Sequence, residues 1–199
     1  VTFGCRVNQA DSLAIEGALR RAGGRCVPSE EADLVVVNTC AVTASAEQGA
    51  RQSLRRIQRQ NPSVRFIVTG CYASRAAADL EAFPNVVRVV PNAGKDELFG
   101  GVPDPDSGDT RFRNGDGPCG GLEPGVGGRT ALTIRVQTGC NETCSYCVIP
   151  QTRGSSRSRP MAWLGAAITQ AVDAGYREIW ISGVHLGSYG RDLGDGSDL

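Results

Sequence analysis

Residues 34–40 read Leu-Val-Val-Val-Asn-Thr-Cys. An unbroken apolar run this short, rich in β-branched residues, suits a strand covered on both faces, as in a parallel sheet. A cysteine follows it directly. The same ending recurs on either side, in VTFGC at Cys5 and FIVTGC at Cys71, with gaps of 35 and 31 residues, each about one βαβ repeat. Parallel strands deliver the residues just past their carboxyl ends to one edge, where open α/β sheets bind ligands. Cys5, Cys40 and Cys71 are therefore expected to be neighbours in space. The plain alternative is three buried cysteines on βα loops.

The neighbouring segments predict an α/β fold, a small doubly wound parallel sheet. Val1-Thr2-Phe3 reads as a first strand. Asp11 or Ser12 is expected to cap a helix whose stripe is Ile15, Ala18, Leu19 and Ala22, with Gly23-Gly24 ending it. A second helix is expected at about 44–60, burying Ala50, Leu54 and Ile57 and stopping before Asn61-Pro62. Arg65 to Thr69 is a strand, Ser74 to Phe83 a helix, and Val86 to Val90 a fourth strand. Residues 1–99 make the first expected domain.

Residues 100–129 change abruptly to Gly, Pro and Asp, as in GGVPDPDSGD, and are expected to be a linker. The α/β pattern resumes in residues 130–199. It gives a strand at Ala131 to Val136, a helix from near Pro160 with Leu164, Ile168, Ala171 and Val172 on one face, and a strand at Arg177 to Ser182. A (β/α) barrel typically takes more than about 200 residues, so this segment is expected to be only the start of one.

The 199 residues suffice for a conventional core, with roughly 70% of the unfolded surface buried on folding. Twenty-one basic and twenty-one acidic side chains cancel, so no global cationic field argues for nucleic acid or membrane. Lys95 is the only lysine, which reads as a bias of composition. No apolar run approaches the ~18 residues of a membrane span, and VTFGCRVNQADS lacks a signal-peptide layout, so the chain is expected to be cytoplasmic. Eight cysteines in such a chain are better explained as thiolate ligands or nucleophiles than as a disulfide framework. Cys26 and Cys119 fit neither cysteine pattern.

The second pattern is VQTGCNETCSYC, which places Cys140, Cys144 and Cys147 within eight residues, directly after a strand. A closed zinc site takes four protein ligands, and electron-shuttling cubane clusters are usually held by four thiolates. Three ligands leave one metal position open, where chemistry can occur. A zinc knuckle completed by His185 is the structural alternative.

Cys-x3-Cys-x2-Cys with an aromatic residue before the last cysteine resembles the cluster loop of radical S-adenosylmethionine enzymes. With GCRVN, NTCAVT and GCYA, the chain resembles the radical methylthiotransferases throughout, apart from the linker. The resemblance implies two [4Fe-4S] clusters, an auxiliary one on Cys5, Cys40 and Cys71 and a radical-generating one on Cys140, Cys144 and Cys147. It implies that the last three thiolates bind three irons and leave the fourth for S-adenosylmethionine. Tyr146 would pack near the adenine, and Gly183 would meet the cofactor's amino group through its backbone.

NTCAVTASAEQGARQSLRRIQRQNP, GCYAS and SGVHLGSYGRDL most resemble the branch acting on N6-threonylcarbamoyladenosine of tRNA. That resemblance implies a methylthio group added to C2 of adenosine 37 in the anticodon loop, and an electron donor such as a flavodoxin or ferredoxin. Gln151-Thr152 departs from the branch's usual Tyr-Ala. Isopentenyladenosine tRNA, a ribosomal-protein aspartate, or a non-catalytic iron-sulfur or zinc module are the alternatives. Arg51, Arg55 and Arg59 on the second helix, and Arg153, Arg157 and Arg159 after the loop, read either as phosphate contacts or as a solvated helix face and loop. The 199-residue polypeptide is expected not to turn over by itself.

Overall fold

The computed structural model describes residues 1–98 and 131–199, so the expected 100–129 linker lies outside the described residues. In the first of these stretches, α1 (Arg6–Arg21) leads to β1 (Leu34–Thr39), α2 (Ala44–Gln60), β2 (Arg65–Gly70), the short α3 (Cys71–Arg75) and α4 (Ala77–Glu81), β3 (Val86–Val90) and a 3-10 turn, Asn92–Glu97. The three strands form a parallel sheet in the order β1-β2-β3, with Leu34 opposite Arg65 and Thr39 opposite Gly70. The parallel α/β class expected from the sequence is present.

Alternation along β1 explains how both faces are covered. Val35 and Val37 join Phe66, Val68, Leu54, Ile57, Tyr72 and Leu80 in one core, while Leu34 and Val36 pack with Ile67, Val90 and Leu98 on the other side. Helix α2 spans the expected residues, buries the expected Ala50, Leu54 and Ile57, and is capped by Thr43 Oγ1, which accepts from Ala46 N–H at 3.1 Å.

Three expectations are corrected here. Val1–Phe3 forms a single parallel bridge, Thr2 to Asn38, with Phe3 N–H donating to Asn38 O at 2.9 Å. The expected helix over 74–83 is broken at Ala76, whose φ of −140° and ψ of 57° no helix accommodates, so α3 and α4 flank it. Helix α1 starts at Arg6, with Cys5 at the N-cap position, so Asp11 is an interior residue rather than a cap. Its buried face is Val7, Asn8, Ala10, Asp11, Ile15 and Ala18, while Ala22 is exposed. Tertiary burial of two polar groups has overridden the local capping preference.

In the second stretch, β4 (Ala131–Arg135) and β7 (Glu178–Ser182) pair in parallel across α6 (Met161–Asp173). Leu132 and Ile134 meet Trp163, Leu164, Ala167, Ala171 and Tyr176. The α6 stripe is therefore rotated from the expected one, leaving Val172 57% exposed, because the large Trp163 ring takes the core position. Between β4 and α6 lie a small antiparallel pair, β5 (Gln137–Thr138) with β6 (Arg157–Ser158), and α5 (Ile149–Arg153). The sequence pattern did not announce this pair. No helix of the described residues is long and apolar enough to cross a membrane.

Helix α1 is the wall between the two stretches. Its Leu13 packs against the Leu132–Ile134–Trp163 core, and its Asp11 is the centre of a buried ionic cluster. Asp11 Oδ2 accepts from Lys95 Nζ at 2.9 Å and Arg153 Nη2 at 3.2 Å, and Oδ1 pairs with Arg135 Nη1 at 2.8 Å. Lys95 also donates to Asn38 Oδ1 at 3.0 Å. Burial alone would push the Asp11 carboxyl up, but Arg135, Lys95 and Arg153 together hold it well below the usual carboxylate range.

A carboxyl depressed in the fold contributes stability above its unfolded value of about 3.9, and that contribution is lost as pH falls toward the folded value. Asp11→Asn leaves three buried cations short of their shared anion and is expected to cost about 3–5 kcal/mol at neutral pH. Urea unfolding of both proteins from pH 7 downward checks this. Their stabilities should converge below about pH 4, and equal stability at neutral pH would overturn the assignment.

Candidate functional site

Each thiol of the first trio is placed by the start of an element. Cys5 is the N-cap residue of α1, Cys40 follows β1 directly, and Cys71 opens α3 at the end of β2. Gly4, at φ +96°, lies against Cys40: a Cβ there would stand 2.5 Å from Cys40 Cβ and 2.6 Å from its sulfur. Only glycine lets the Cys5 segment approach that closely. Cys40 and Cys71 are buried, whereas Cys5 is exposed.

Burial pushes the Cys40 thiol up, and the neighbouring Cys71 and Cys5 thiols push it further. The Val42 N–H, 3.5 Å from the sulfur, opposes them. Cys40 and Cys71 lie at the carboxyl ends of β1 and β2, and Cys5 at the start of α1. Asn92 Nδ2 donates to Cys71 Sγ at 3.4 Å.

The second trio lies on the loop after β5. Cys140 and Cys147 are half-buried, and Cys144 is exposed. Gln137 sets the loop's root: its Nε2 donates to Gly139 O at 2.9 Å and Ser156 Oγ at 2.9 Å, while its Oε1 accepts from His185 N–H at 2.9 Å. Cys140 N–H bonds Gly154 O at 3.1 Å, and Asn141 Oδ1 accepts from Ser156 N–H at 2.9 Å. Gly139, at φ +72°, runs so close that a Cβ would fall 1.9 Å from Ser155 O.

Tyr146 is 91% exposed, so ordinary loop packing does not account for it. Gly183 follows β7 and abuts the loop root, where a Cβ would stand 3.0 Å from Gln137 Cβ. The His185 side chain is exposed, and it is the backbone that engages Gln137. Among the described residues no group of three or more His, Cys, Asp or Glu side chains is disposed to hold a metal ion. Ligand roles for the six cysteines are therefore proposals.

The two trios are tied by α5. Thr152 O accepts from Asn92 Nδ2 at 2.8 Å, and Arg153 reaches Asn8 Oδ1 at 2.7 Å and Thr138 Oγ1 at 3.2 Å. Arg153 is 4% exposed, which overturns its reading as a phosphate contact. Arg159 bonds Asp96 Oδ2 at 3.0 Å and stacks 5.2 Å over Trp163, and Arg51 donates to Tyr72 Oη at 3.0 Å, so these also serve packing. Sequence reasoning missed Asn8, Asn92, Lys95 and Gln137. The available signal was a polar residue recurring beside each cysteine run, as in GCRVN and VQTGC.

A family model described as "Uncharacterized protein family UPF0004" matches residues 1–91. The threonylcarbamoyladenosine tRNA methylthiotransferase MtaB of Chlamydia pneumoniae is 40% identical, over 95% of this chain and 43% of that protein. Its namesake in Bacillus subtilis is 35% identical, over 98% and 45%. The tRNA-2-methylthio-N(6)-dimethylallyladenosine synthase of Chloroflexus aurantiacus is 33% identical, over 96% and 41%. A solved structure of the radical S-adenosylmethionine methyltransferase TsrM from Kitasatospora setae aligns with a TM-score of 0.46 and 16% identity, over 87% of this chain and 40% of that one. The chain spans about half the length of the curated relatives it matches. Residues 1–91 thus match the UPF0004 model, and along nearly its whole length the chain is similar to curated tRNA methylthiotransferases.

Proposed function

We propose that this chain is part of a radical S-adenosylmethionine methylthiotransferase that adds a methylthio group to C2 of N6-threonylcarbamoyladenosine at position 37 of tRNA. The observation that carries this is the pair of cysteine trios in a chain similar to enzymes of that name. Residues 1–99 would be the auxiliary-cluster domain, 100–129 a linker, and 130–199 the start of a partial (β/α) barrel. The tRNA anticodon loop is the macromolecular partner, a flavodoxin or ferredoxin the electron donor, and the cytoplasm the setting.

Both donor sets are thiols, the ligand type that iron-sulfur groups take. The Cys5 segment lies against Cys40 through Gly4, and Cys71 accepts an amide donor suited to an anionic thiolate site. Cys140, Cys144 and Cys147 sit on a loop fixed at its root and open at its tip. When bound, the cluster on that loop supplies reductive cleavage of S-adenosylmethionine to a 5′-deoxyadenosyl radical. The chain's own part is geometric. Tyr146 presents an uncovered ring for the adenine, the Gly183 backbone lies beside the loop root for the cofactor's amino group, and Gln137 holds that root.

Anaerobic reconstitution should give about eight irons per chain. Cys140→Ala should reduce that to about four and remove the spectral response to S-adenosylmethionine. Tight zinc without iron would favour the non-catalytic module instead. The substrate is checked by mass spectrometry of tRNA nucleosides from cells lacking the intact gene. Loss of 2-methylthio-threonylcarbamoyladenosine is expected, an unchanged peak refutes the substrate, and loss of the isopentenyl derivative moves the chain to the branch of the Chloroflexus relative.

A further inference from the structure

Asn92 donates to Cys71, and Arg153 directly follows Thr152, whose carbonyl accepts from the same amide; the two side chains are 6% and 4% exposed. The Asn92 amide spends its donors on Cys71 Sγ at 3.4 Å and Thr152 O at 2.8 Å, while its own Oδ1 is buried without a partner. Rotating the amide would set that oxygen against the Thr152 carbonyl, so donation to sulfur fixes its orientation. Arg153 is held in place by Asn8 and Asp11 and adds a buried positive charge on that side of the site. Neither residue belongs to the Cys5, Cys40, Cys71 strand ends. Arg153 lies six residues past Cys147.

Donors on a cluster's sulfur ligands withdraw negative charge and make reduction easier, and a buried cation acts in the same direction. We propose that Asn92 and Arg153 set the reduction potential of the iron-sulfur group on Cys5, Cys40 and Cys71, holding it above the value the three thiolates alone would give. This rests on the cluster assignment proposed for that trio. Reduction adds one electron from an external donor and no proton from either residue. Because Arg153 follows the second trio, the electronic state of the first site depends on how α5 is docked.

The test uses the full 199-residue chain with Cys140, Cys144 and Cys147 replaced by Ala, so that one site remains. After anaerobic reconstitution, the cluster is titrated with dithionite and followed by electron paramagnetic resonance. Arg153→Gln should shift the midpoint to more negative potential, Arg153→Lys should shift it less, and Asn92→Ala should also shift it down. Iron content and circular dichroism accompany each variant. If Arg153→Gln does not fold, Asn92→Ala, which leaves the Asp11 cluster intact, decides. Midpoints unchanged at equal iron content overturn the inference while leaving the cluster assignment standing. Failure of the single-site parent to take up iron overturns the cluster assignment itself.

Discussion

One carboxylate organises this molecule. Asp11 is buried with three cations drawn from three separate elements: Lys95 from the 3-10 turn after β3, Arg135 from the end of β4, and Arg153 from α5. Ionic groups taken out of water are costly unless each finds charge and hydrogen bonds in return, so such a cluster tolerates one arrangement of its partners. Apolar packing between α1 and β4 brings these elements close, and the ions fix how they meet. A core of interchangeable aliphatic side chains would have been less particular.

The consequence reaches both cysteine trios. Asn8, one turn from Asp11, accepts from Arg153 and donates to Phe3 O and Thr39 O, each at 2.8 Å, beside Cys5 and Cys40. Arg153 in turn terminates the helix that follows Cys147. The charged hub therefore lies beneath the thiol edge of the sheet and behind the root of the second loop. The lone lysine of the chain is part of that hub: its compact ammonium fits between Asp11, Asn38 and Asn8, where a planar guanidinium would need more room.

What the sequence determined by itself was the periodic and the local. Short apolar runs ending in cysteine specified the parallel strands β1 and β2, because side-chain alternation and burial on both faces follow from strand geometry. Helix α2 was legible from its apolar stripe and its stop before Asn61-Pro62. The cysteine loop was legible because three thiols so close in sequence serve few purposes. Tertiary structure alone decided the rest. It started α1 at Arg6 rather than after Asp11, broke the helix at Ala76, turned the α6 stripe toward Trp163, and drew Arg153 away from solvent. For Asp11 and Arg153 the cause was a partner distant along the chain. An aspartate that caps a helix and one that neutralises three buried cations look identical in sequence, and only the approach of Lys95, Arg135 and Arg153 tells them apart.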